Sequence, residues 1–200
     1  MAHSNLKSPF DREEQFAAKR RAVILSAASA FRRRGYHNTS MRDIGETLGL
    51  TKAALYYYVK NKEEILFESH VMAYDEMDNI LKAKREDKQS ALDHLDVIFR
   101  AFVKLLTQSG VSILSDVDSL SGERQSEILR RRQKIEKAVT KIVNQGQKDG
   151  SIRSGDARLH VFFFMGALNW LNVWYDPTGR LKGEDIADHF ALQLREGISS

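Results

Sequence analysis

Apolar residues recur at three- and four-residue spacing along most of the chain, and this spacing predicts an all-α protein. Only two prolines occur, Pro9 and Pro177, so no helix between them is broken by proline. Six predicted helices span 13–34, 41–48, 51–58, 62–84, 156–175 and 184–197. Two further helices are predicted between them, one that begins after residue 90 and a long one that ends near residue 148.

Small polar residues and glycines mark the ends of several predicted helices. Ser40 and Asp43 have the spacing of a capping box at the start of the second helix, and Asn61 is expected to cap the fourth. Gly35 and Gly49 follow the first and second helices, where a left-handed glycine commonly ends a helix. These signals place two short helices one tight turn apart.

The helices at 41–48 and 51–58, joined by the turn at Gly49, predict a helix-turn-helix. The second helix of such a pair can enter the major groove of DNA, and its first turn contains Lys52 and Ala53. The alternative that the pattern leaves open is a three-helix core without a DNA-binding role.

Three consecutive tyrosines in the second of these helices cannot share one buried face, because successive helical side chains point about 100° apart. A helical wheel turns Leu55 and Val59 inward and Tyr57 outward, with Tyr56 and Tyr58 on either side. An outward tyrosine on this helix favours a contact with a partner.

The charge distribution favours an anionic partner for the first third of the chain. Residues 1–67 hold 12 lysines and arginines against 7 aspartates and glutamates, whereas the remaining residues hold 19 against 20. Excess positive charge steers a protein toward nucleic acid. The alternative to an anionic partner is that these charges are scattered over a solvent-exposed surface.

Several classes of protein are disfavoured by the composition. The chain contains no cysteine, which excludes disulfides, cysteine-ligated zinc and thiol catalysis. No nucleophile elbow, phosphate-binding glycine loop or metal-ligand spacing occurs, so we expect no enzyme, no cofactor and no metal. No signal peptide is apparent, and the apolar stretch 159–175 is too short and interrupted for a membrane span, so we expect a cytoplasmic protein.

The stretch TSMRDIGETLGLTKAALYYYVKNKEEIL, residues 39–66, resembles the DNA-binding signature of the TetR family of transcriptional repressors. The resemblance covers residues 20–67 without a gap; one departure is Ala53, where many members carry glycine. It implies a three-helix DNA-binding domain over 12–67 and a helical ligand-binding and dimerisation domain over 68–200.

The resemblance also implies which residues meet the DNA. Tyr56 and Lys62 would contact phosphates, and Lys52 and Tyr57 would lie in the groove. The expected DNA-binding residues are Ser40, Arg42, Thr51, Lys52, Ala53, Tyr56, Tyr57 and Lys62.

A homodimer is expected from the helix at 156–175, which is apolar nearly all round and therefore needs to be buried on more than one side. One side can pair with the last helix and the symmetry mates of both, as in a four-helix interface. The alternative is a monomer with a large core. The predicted interface residues are Leu171, Trp174, Ile186, Phe190 and Leu194.

A pocket for a small hydrophobic effector is expected in the C-terminal domain, although the same residues could simply form the core. The candidates are Phe99, Phe102, Val103, Leu106, Val117, Phe162, Phe163, Asn169 and Trp170. The stretch GALNWLNVWYDPTGRL, residues 166–181, resembles a TetR subgroup whose inducers are coenzyme A thioesters from fatty-acid or steroid breakdown. Arg130, Arg131 and Arg132 could supply a basic mouth for such a ligand.

The expected function is a ligand-responsive repressor that binds a palindromic operator as a dimer. Two alternatives remain: an efflux-type repressor that senses cationic hydrophobic drugs, and a non-specific architectural DNA-binding protein. The first calls for acidic residues inside the pocket, and the apolar stripes contain none. The second calls for a continuous basic face, whereas the basic excess ends near residue 67.

Overall fold

The computed structural model describes residues 9–83, 85–109 and 116–199, without the side chains of residues 9–11. Within these ranges the regular structure is helical, apart from one isolated bridge between Ile152 and Ser199, and the all-α prediction is confirmed. The elements are α1 (Pro9–Arg34), α2 (Met41–Leu48), α3 (Lys52–Tyr58), α4 (Lys62–Leu81), α5 (Ala91–Gln108), a 3₁₀ turn (Asp116–Ser119), α6 (Gly122–Asp149), α7 (Ala157–Trp174) and α8 (Gly183–Ile198).

The predicted caps of α2 and α4 are confirmed. Ser40 Oγ accepts the backbone N–H of Asp43, and the Asp43 carboxylate accepts the backbone N–H of Ser40 at 2.8 Å. The Asn61 side chain accepts the backbone N–H of Glu64 at 2.8 Å. Gly35 and Gly49 have φ angles of 84° and 63°, the left-handed conformation expected after α1 and α2.

Two helix ends differ from the prediction by more than one residue. α1 begins at Pro9 rather than at residue 13, because proline is well suited to the first position of a helix, where its missing N–H costs nothing. α4 ends at Leu81 rather than near 84, and the described residues of 82–88 are all exposed. No core contact therefore extends α4 by another turn.

One ion-pair cluster fixes α1 against α3 and α4. Arg20 donates to the backbone oxygen of Tyr58 at 3.2 Å and to the carboxylates of Glu64 and Glu68 at 2.8 and 3.0 Å. Leu55 of α3 is buried in the core. α4 continues beyond the predicted boundary at residue 67 and packs against α5 and α6, so it connects the two halves of the chain.

In the C-terminal half, α8 lies directly against α5. A Cβ atom on Gly183 would lie 2.2 Å from Oγ1 of Thr107, so the start of α8 approaches α5 more closely than any larger residue permits. Arg100 and Arg195 pair with carboxylates across the same helix pair. None of the described helices has the length and apolar character that crossing a membrane requires.

Candidate DNA-binding surface and ligand cleft

The turn between α2 and α3 is held by short-range contacts that the local sequence specifies. A Cβ atom on Gly45 would lie 3.2 Å from the backbone oxygen of Leu50, so this glycine allows α2 to approach the turn closely. Thr51 Oγ1 accepts the backbone N–H of Ala54 at 3.2 Å and caps α3. The structure thus contains the helix-turn-helix expected from the sequence.

The three tyrosines of α3 are divided as the helical wheel predicts. Tyr57 is 68% exposed and Tyr56 is 43% exposed, whereas Tyr58 is half-buried against the core. The Tyr58 ring stacks on Phe16 of α1 at 5.4 Å, and the Tyr57 ring meets Phe16 edge-on at 5.3 Å. Phe16 therefore supports both rings from the side of α1.

Seven of the eight predicted DNA-binding residues are exposed, and they lie on α2, on α3 or at the caps that precede them. The Arg42 side chain is 87% exposed and pairs with Glu46, and Lys52 Nζ lies 6.0 Å from the Tyr56 ring. We call these seven residues the recognition surface: Ser40, Arg42, Thr51, Lys52, Ala53, Tyr56 and Tyr57.

The eighth residue, Lys62, is held by the turn after α1. Its ammonium donates to the backbone oxygen of Tyr36 at 2.7 Å and lies 4.2 Å from the centre of the Tyr36 ring. These contacts satisfy part of its hydrogen-bonding capacity, and two of its three donors remain for another partner.

A cleft of about 560 Å³ opens where the end of α1 meets the C-terminal half. Its walls come from α1, α4, the 3₁₀ turn, α6 and α7. Three predicted ligand-binding residues line it: Val117, Phe162 and Asn169.

The other six predicted ligand-binding residues lie elsewhere. Four residues of α5 are buried in the core, where the Phe99 ring meets Phe164 at 6.0 Å: Phe99, Phe102, Val103 and Leu106. Phe163 and Trp170 are 72% and 61% exposed on α7, away from the cleft lining. Among the described residues, the α5 stripe therefore belongs to the core and not to the lining of this cleft.

The cleft contains charges of both signs. Arg32 and Arg132 line it together with Asp116, Asp118 and Glu136. The apolar stripes contain no acidic residue, as the sequence indicates, but the 3₁₀ turn and α6 bring three carboxylates to this cleft. Glu136 pairs with Arg158 of α7 at 3.0 Å.

The predicted basic mouth, Arg130 to Arg132, is divided between two sites. Arg130 and Arg131 pair with Glu127, and Arg131 also pairs with Asp75 of α4. Arg132 lines the cleft. The Arg131–Asp75 pair links α6 to α4, and only Arg132 of the three arginines lines the cleft.

Arg32 also lines the cleft, although the sequence did not mark it as a candidate ligand contact. Arg32 lies one helical turn after Ala28, which is fully buried, so it shares the inward face of α1. Burial lowers the pKa of the Arg32 guanidinium below its ordinary value, and the neighbouring Arg33 charge adds to this effect. Helical spacing could have separated Arg32 from the exposed Arg33.

α7 presents a broad apolar face to the outside. It consists of Leu159, Phe162, Phe163, Trp170, Val173 and Trp174, each at least 36% exposed. Of the predicted interface residues, Trp174 belongs to this face, and Phe190 of α8 is half-buried beside it with ring centres 6.4 Å apart.

Three predicted interface residues do not reach the surface. Leu171, Ile186 and Leu194 are at most 4% exposed within the single chain. They cannot meet a second copy because α5 and the other helices of the same chain already cover them. The structure therefore places these three side chains in the core of the single chain.

Contacts between the 3₁₀ turn, the start of α6 and the helix-turn-helix half were not foreseen. Ser119 Oγ lies 3.1 Å from His37 Nε2, in the turn between α1 and α2. The Glu63 carboxylate of α4 accepts the backbone N–H and the hydroxyl of Ser121 at 3.2 and 3.0 Å, and Arg124 lies 3.7 Å away. We call these five residues the junction.

The chain is similar to known regulators along most of its length. Residues 23–68 match the family described as bacterial regulatory proteins, tetR family, and residues 88–198 match the one described as tetracyclin repressor-like, C-terminal domain. The structure of AibR in complex with isovaleryl coenzyme A and operator DNA is 30% identical, with a TM-score of 0.71 over 86% of this chain and 95% of that chain.

A second group of similar proteins carries the name KstR2. The HTH-type transcriptional repressor KstR2 of Mycolicibacterium smegmatis is 26% identical over 195 residues, which cover 94% of this chain and 95% of that protein. The structure of the ketosteroid transcriptional regulator KstR2 of Mycobacterium tuberculosis has a TM-score of 0.77 at 23% identity, covering 91% of this chain and 95% of that chain, and it shares the fold.

Proposed function

Since this chain belongs to the TetR family of transcriptional regulators, we propose that it represses its target genes by binding a palindromic operator as a homodimer. The observation that carries the proposal is the recognition surface, with Tyr57 68% exposed on the second helix of a helix-turn-helix. The family consists of regulators rather than enzymes, which sets the enzyme alternative aside.

In this proposal α3 enters the major groove. Arg42 and Lys62 supply salt-dependent contacts to phosphates and Lys52 lies in the groove, while the tyrosine hydroxyls can hydrogen-bond phosphates or base edges. The exposed part of α3 contains no Arg, Asn or Gln, the residues that make bidentate base contacts. Apolar contact with thymine methyl groups and the shape of the DNA therefore supply part of the specificity.

The dimer forms through the apolar face of α7. An exposed face of this size is rare on a monomer and is typical of an interface. Trp174 and Phe190, at the edge of this face, bring α8 into the contact. Two-fold symmetry then matches the two half-sites of a palindrome, roughly 35 Å apart or a multiple of that distance.

The effector is a small molecule with a hydrophobic body, and an acyl-CoA thioester is the class we propose. The cleft supports this choice, since Phe31, Leu129, Phe162 and Val173 give it apolar walls. AibR, which is 30% identical, was solved with isovaleryl coenzyme A.

Release from DNA runs through the junction. An effector in the cleft touches residues 116–118, and the next residues along the chain contact His37 and Glu63. A shift of the 3₁₀ turn therefore changes the position of the helix-turn-helix relative to α6. The ligand acts to the extent that it binds one arrangement more tightly than the other.

The experiment is selection of binding sites from a random pool of double-stranded DNA with the full-length protein. The proposal expects enrichment of one inverted repeat. Enrichment of a site without two-fold symmetry would refute the dimeric part, and the absence of any enrichment would favour a non-specific architectural protein.

A second candidate effector is a cationic hydrophobe. Asp116 and Asp118 line the cleft, and neither carboxylate belongs to an ion pair among the described residues. Binding of octyltrimethylammonium in preference to octanoyl-CoA would favour this candidate. The two candidates share the operator-binding function and differ only in the ligand.

A further inference from the structure

Arg32 is a half-buried cation at the wall of the cleft, on the last turn of α1. No carboxylate of the described chain forms an ion pair with its guanidinium. Burying a charge without a partner costs free energy, and a bound counter-ion recovers part of that cost. The position therefore suits an anion that comes from outside the chain.

The carboxylates near Arg32 do not serve as its counter-ion. The Asp176 carboxylate forms no ion pair with Arg32 and accepts the backbone N–H and the hydroxyl of Thr178 at 2.9 and 2.7 Å. Glu136 is paired with Arg158. Asp116 and Asp118 line the cleft beyond ion-pair distance of Arg32.

Arg132 of α6 brings a second guanidinium to the same cleft. It has no ion pair among the described residues, in contrast to its neighbours Arg130 and Arg131. The Phe31 and Phe162 rings and the Met165 side chain form the apolar wall beside these two cations. The cleft thus offers an apolar wall and two cations to a ligand.

We propose that Arg32 and Arg132 together bind an oxyanion group of the effector, a carboxylate or a phosphate on a hydrophobic body. This inference rests on the proposed function and adds the ligand chemistry and the residues that select it. A guanidinium presents a planar fork of N–H donors that matches two oxygens of a carboxylate or phosphate.

The two arginines belong to different halves of the chain. Arg32 ends the helix that supports the helix-turn-helix, and Arg132 lies in the middle of α6. An oxyanion held by both therefore pulls the end of α1 toward α6. A neutral ligand of the same shape fills the cleft without this attraction, so the charge of the ligand controls release from the operator.

The test measures ligand binding to the full-length protein by calorimetry, without DNA. The probes are octanoyl-CoA, octanoate, the isosteric neutral octanamide, and octyltrimethylammonium. The variants are Arg32→Gln and Arg132→Gln. The control is Arg33→Gln, an equal change of charge at the adjacent exposed residue, which bonds to Ser29 and does not line the cleft.

We expect Arg32→Gln to weaken the binding of at least one anionic probe by about tenfold to a hundredfold, the usual effect of losing a charge-assisted hydrogen bond. Arg132→Gln should also weaken the binding of this probe, and Arg33→Gln should leave its affinity within about threefold of wild type. Dependence on Arg32 for octanoate identifies a carboxylate, and dependence for octanoyl-CoA alone identifies a phosphate of coenzyme A.

Equal binding of the anionic probes by wild type and Arg32→Gln would overturn the inference, as would wild-type preference for octanamide or octyltrimethylammonium, or no binding of any probe. Operator binding without ligand is measured in parallel. If that binding persists while Arg32 has no effect, only the anion site fails. If wild type binds no selected operator, the proposed function itself fails.

Discussion

Tyr57 projects from α3 with 68% of its surface exposed, while its ring edge rests against Phe16 and Tyr58. A supported but exposed aromatic ring loses little conformational entropy when it contacts DNA. We therefore expect Tyr57→Ala to weaken operator binding by about tenfold or more, the effect of one good base contact. Fluorescence anisotropy with the selected operator measures this.

Val97→Ala is the control for Tyr57→Ala, because Val97 is a similarly exposed apolar residue, at 51%, on α5. It should bind the operator as wild type does. Tyr57→Phe then separates the hydroxyl from the ring. Unchanged affinity of Tyr57→Ala would show that α3 does not face the groove as proposed.

His70 predicts a pH dependence of stability. It is fully buried on α4, its ring stacks on Tyr74, and burial lowers its pKa from 6.5 to about 4. Below about pH 6.5 the unfolded chain binds a proton that the folded chain does not, so stability falls as the pH falls toward 4. Between about pH 7.5 and pH 5 this lowers the free energy of unfolding by about 2 kcal/mol.

Urea unfolding at these two pH values measures the loss, at one protein concentration because a dimer's stability depends on it. The loss contributed by His70 should disappear in His70→Leu and persist in His189→Leu, where the histidine is exposed on α8. An equal loss in wild type and His70→Leu would contradict the assignment.

At the scale of elements, Glu63 links the start of α4 to the start of α6. It accepts two hydrogen bonds from Ser121 and lies 3.7 Å from Arg124. Glu63→Gln should leave the operator affinity of the ligand-free protein within about threefold of wild type. It should raise the octanoyl-CoA concentration that releases the operator by about fivefold, the low end of typical allosteric coupling.

Glu68→Gln serves as the control for Glu63→Gln, since Glu68 lies on the same helix and pairs with Arg20 rather than with α6. The octanoyl-CoA concentration that releases Glu68→Gln from the operator should match that of wild type. If Glu63→Gln releases at the wild-type concentration, the signal does not pass through the junction.

Local signals sufficed for the helices and their caps. Ser40 with Asp43, and Asn61 with Glu64, act over three residues, and the sequence specifies such short-range contacts directly. The environment of α7 is different, since an element that is apolar nearly all round gives no periodic signal for which face meets which neighbour. Leu171 was therefore assigned to the interface although α7 buries it within the chain.

The cleft could not be located from the sequence because its lining comes from five separate elements. Phe99 and Phe162 look alike as aromatic residues on amphipathic helices, yet one is in the core and the other lines the cleft. Asp116 and Arg32 are far apart in sequence and line the same cleft only because of the tertiary packing. Tertiary contact decides such placements.

The whole molecule is expected to be a dimer through the apolar face of α7. Trp170→Glu places a charge in the middle of this face, where Trp170 is 61% exposed, and should convert the protein to a monomer because burying an unpaired charge is unfavourable. Sedimentation analysis should give twice the chain mass of 22.8 kDa for wild type and one chain mass for the variant.

Val97→Glu is the matched control for Trp170→Glu, because it introduces the same charge at an exposed apolar residue of α5, outside the α7 face. It should remain dimeric. A dimeric Trp170→Glu would place the interface elsewhere, and a monomeric wild type at micromolar concentration would refute the dimer.

An effector is expected to remove a dimer from a specific DNA site. The most direct measurement is the anisotropy of a fluorescent duplex that carries the selected operator, titrated with full-length protein and then with octanoyl-CoA. We predict saturation at an even number of chains per duplex, affinity that falls with salt, and loss of the bound state when octanoyl-CoA is added. Saturation at one chain, or a complex that octanoyl-CoA leaves intact, would contradict the account.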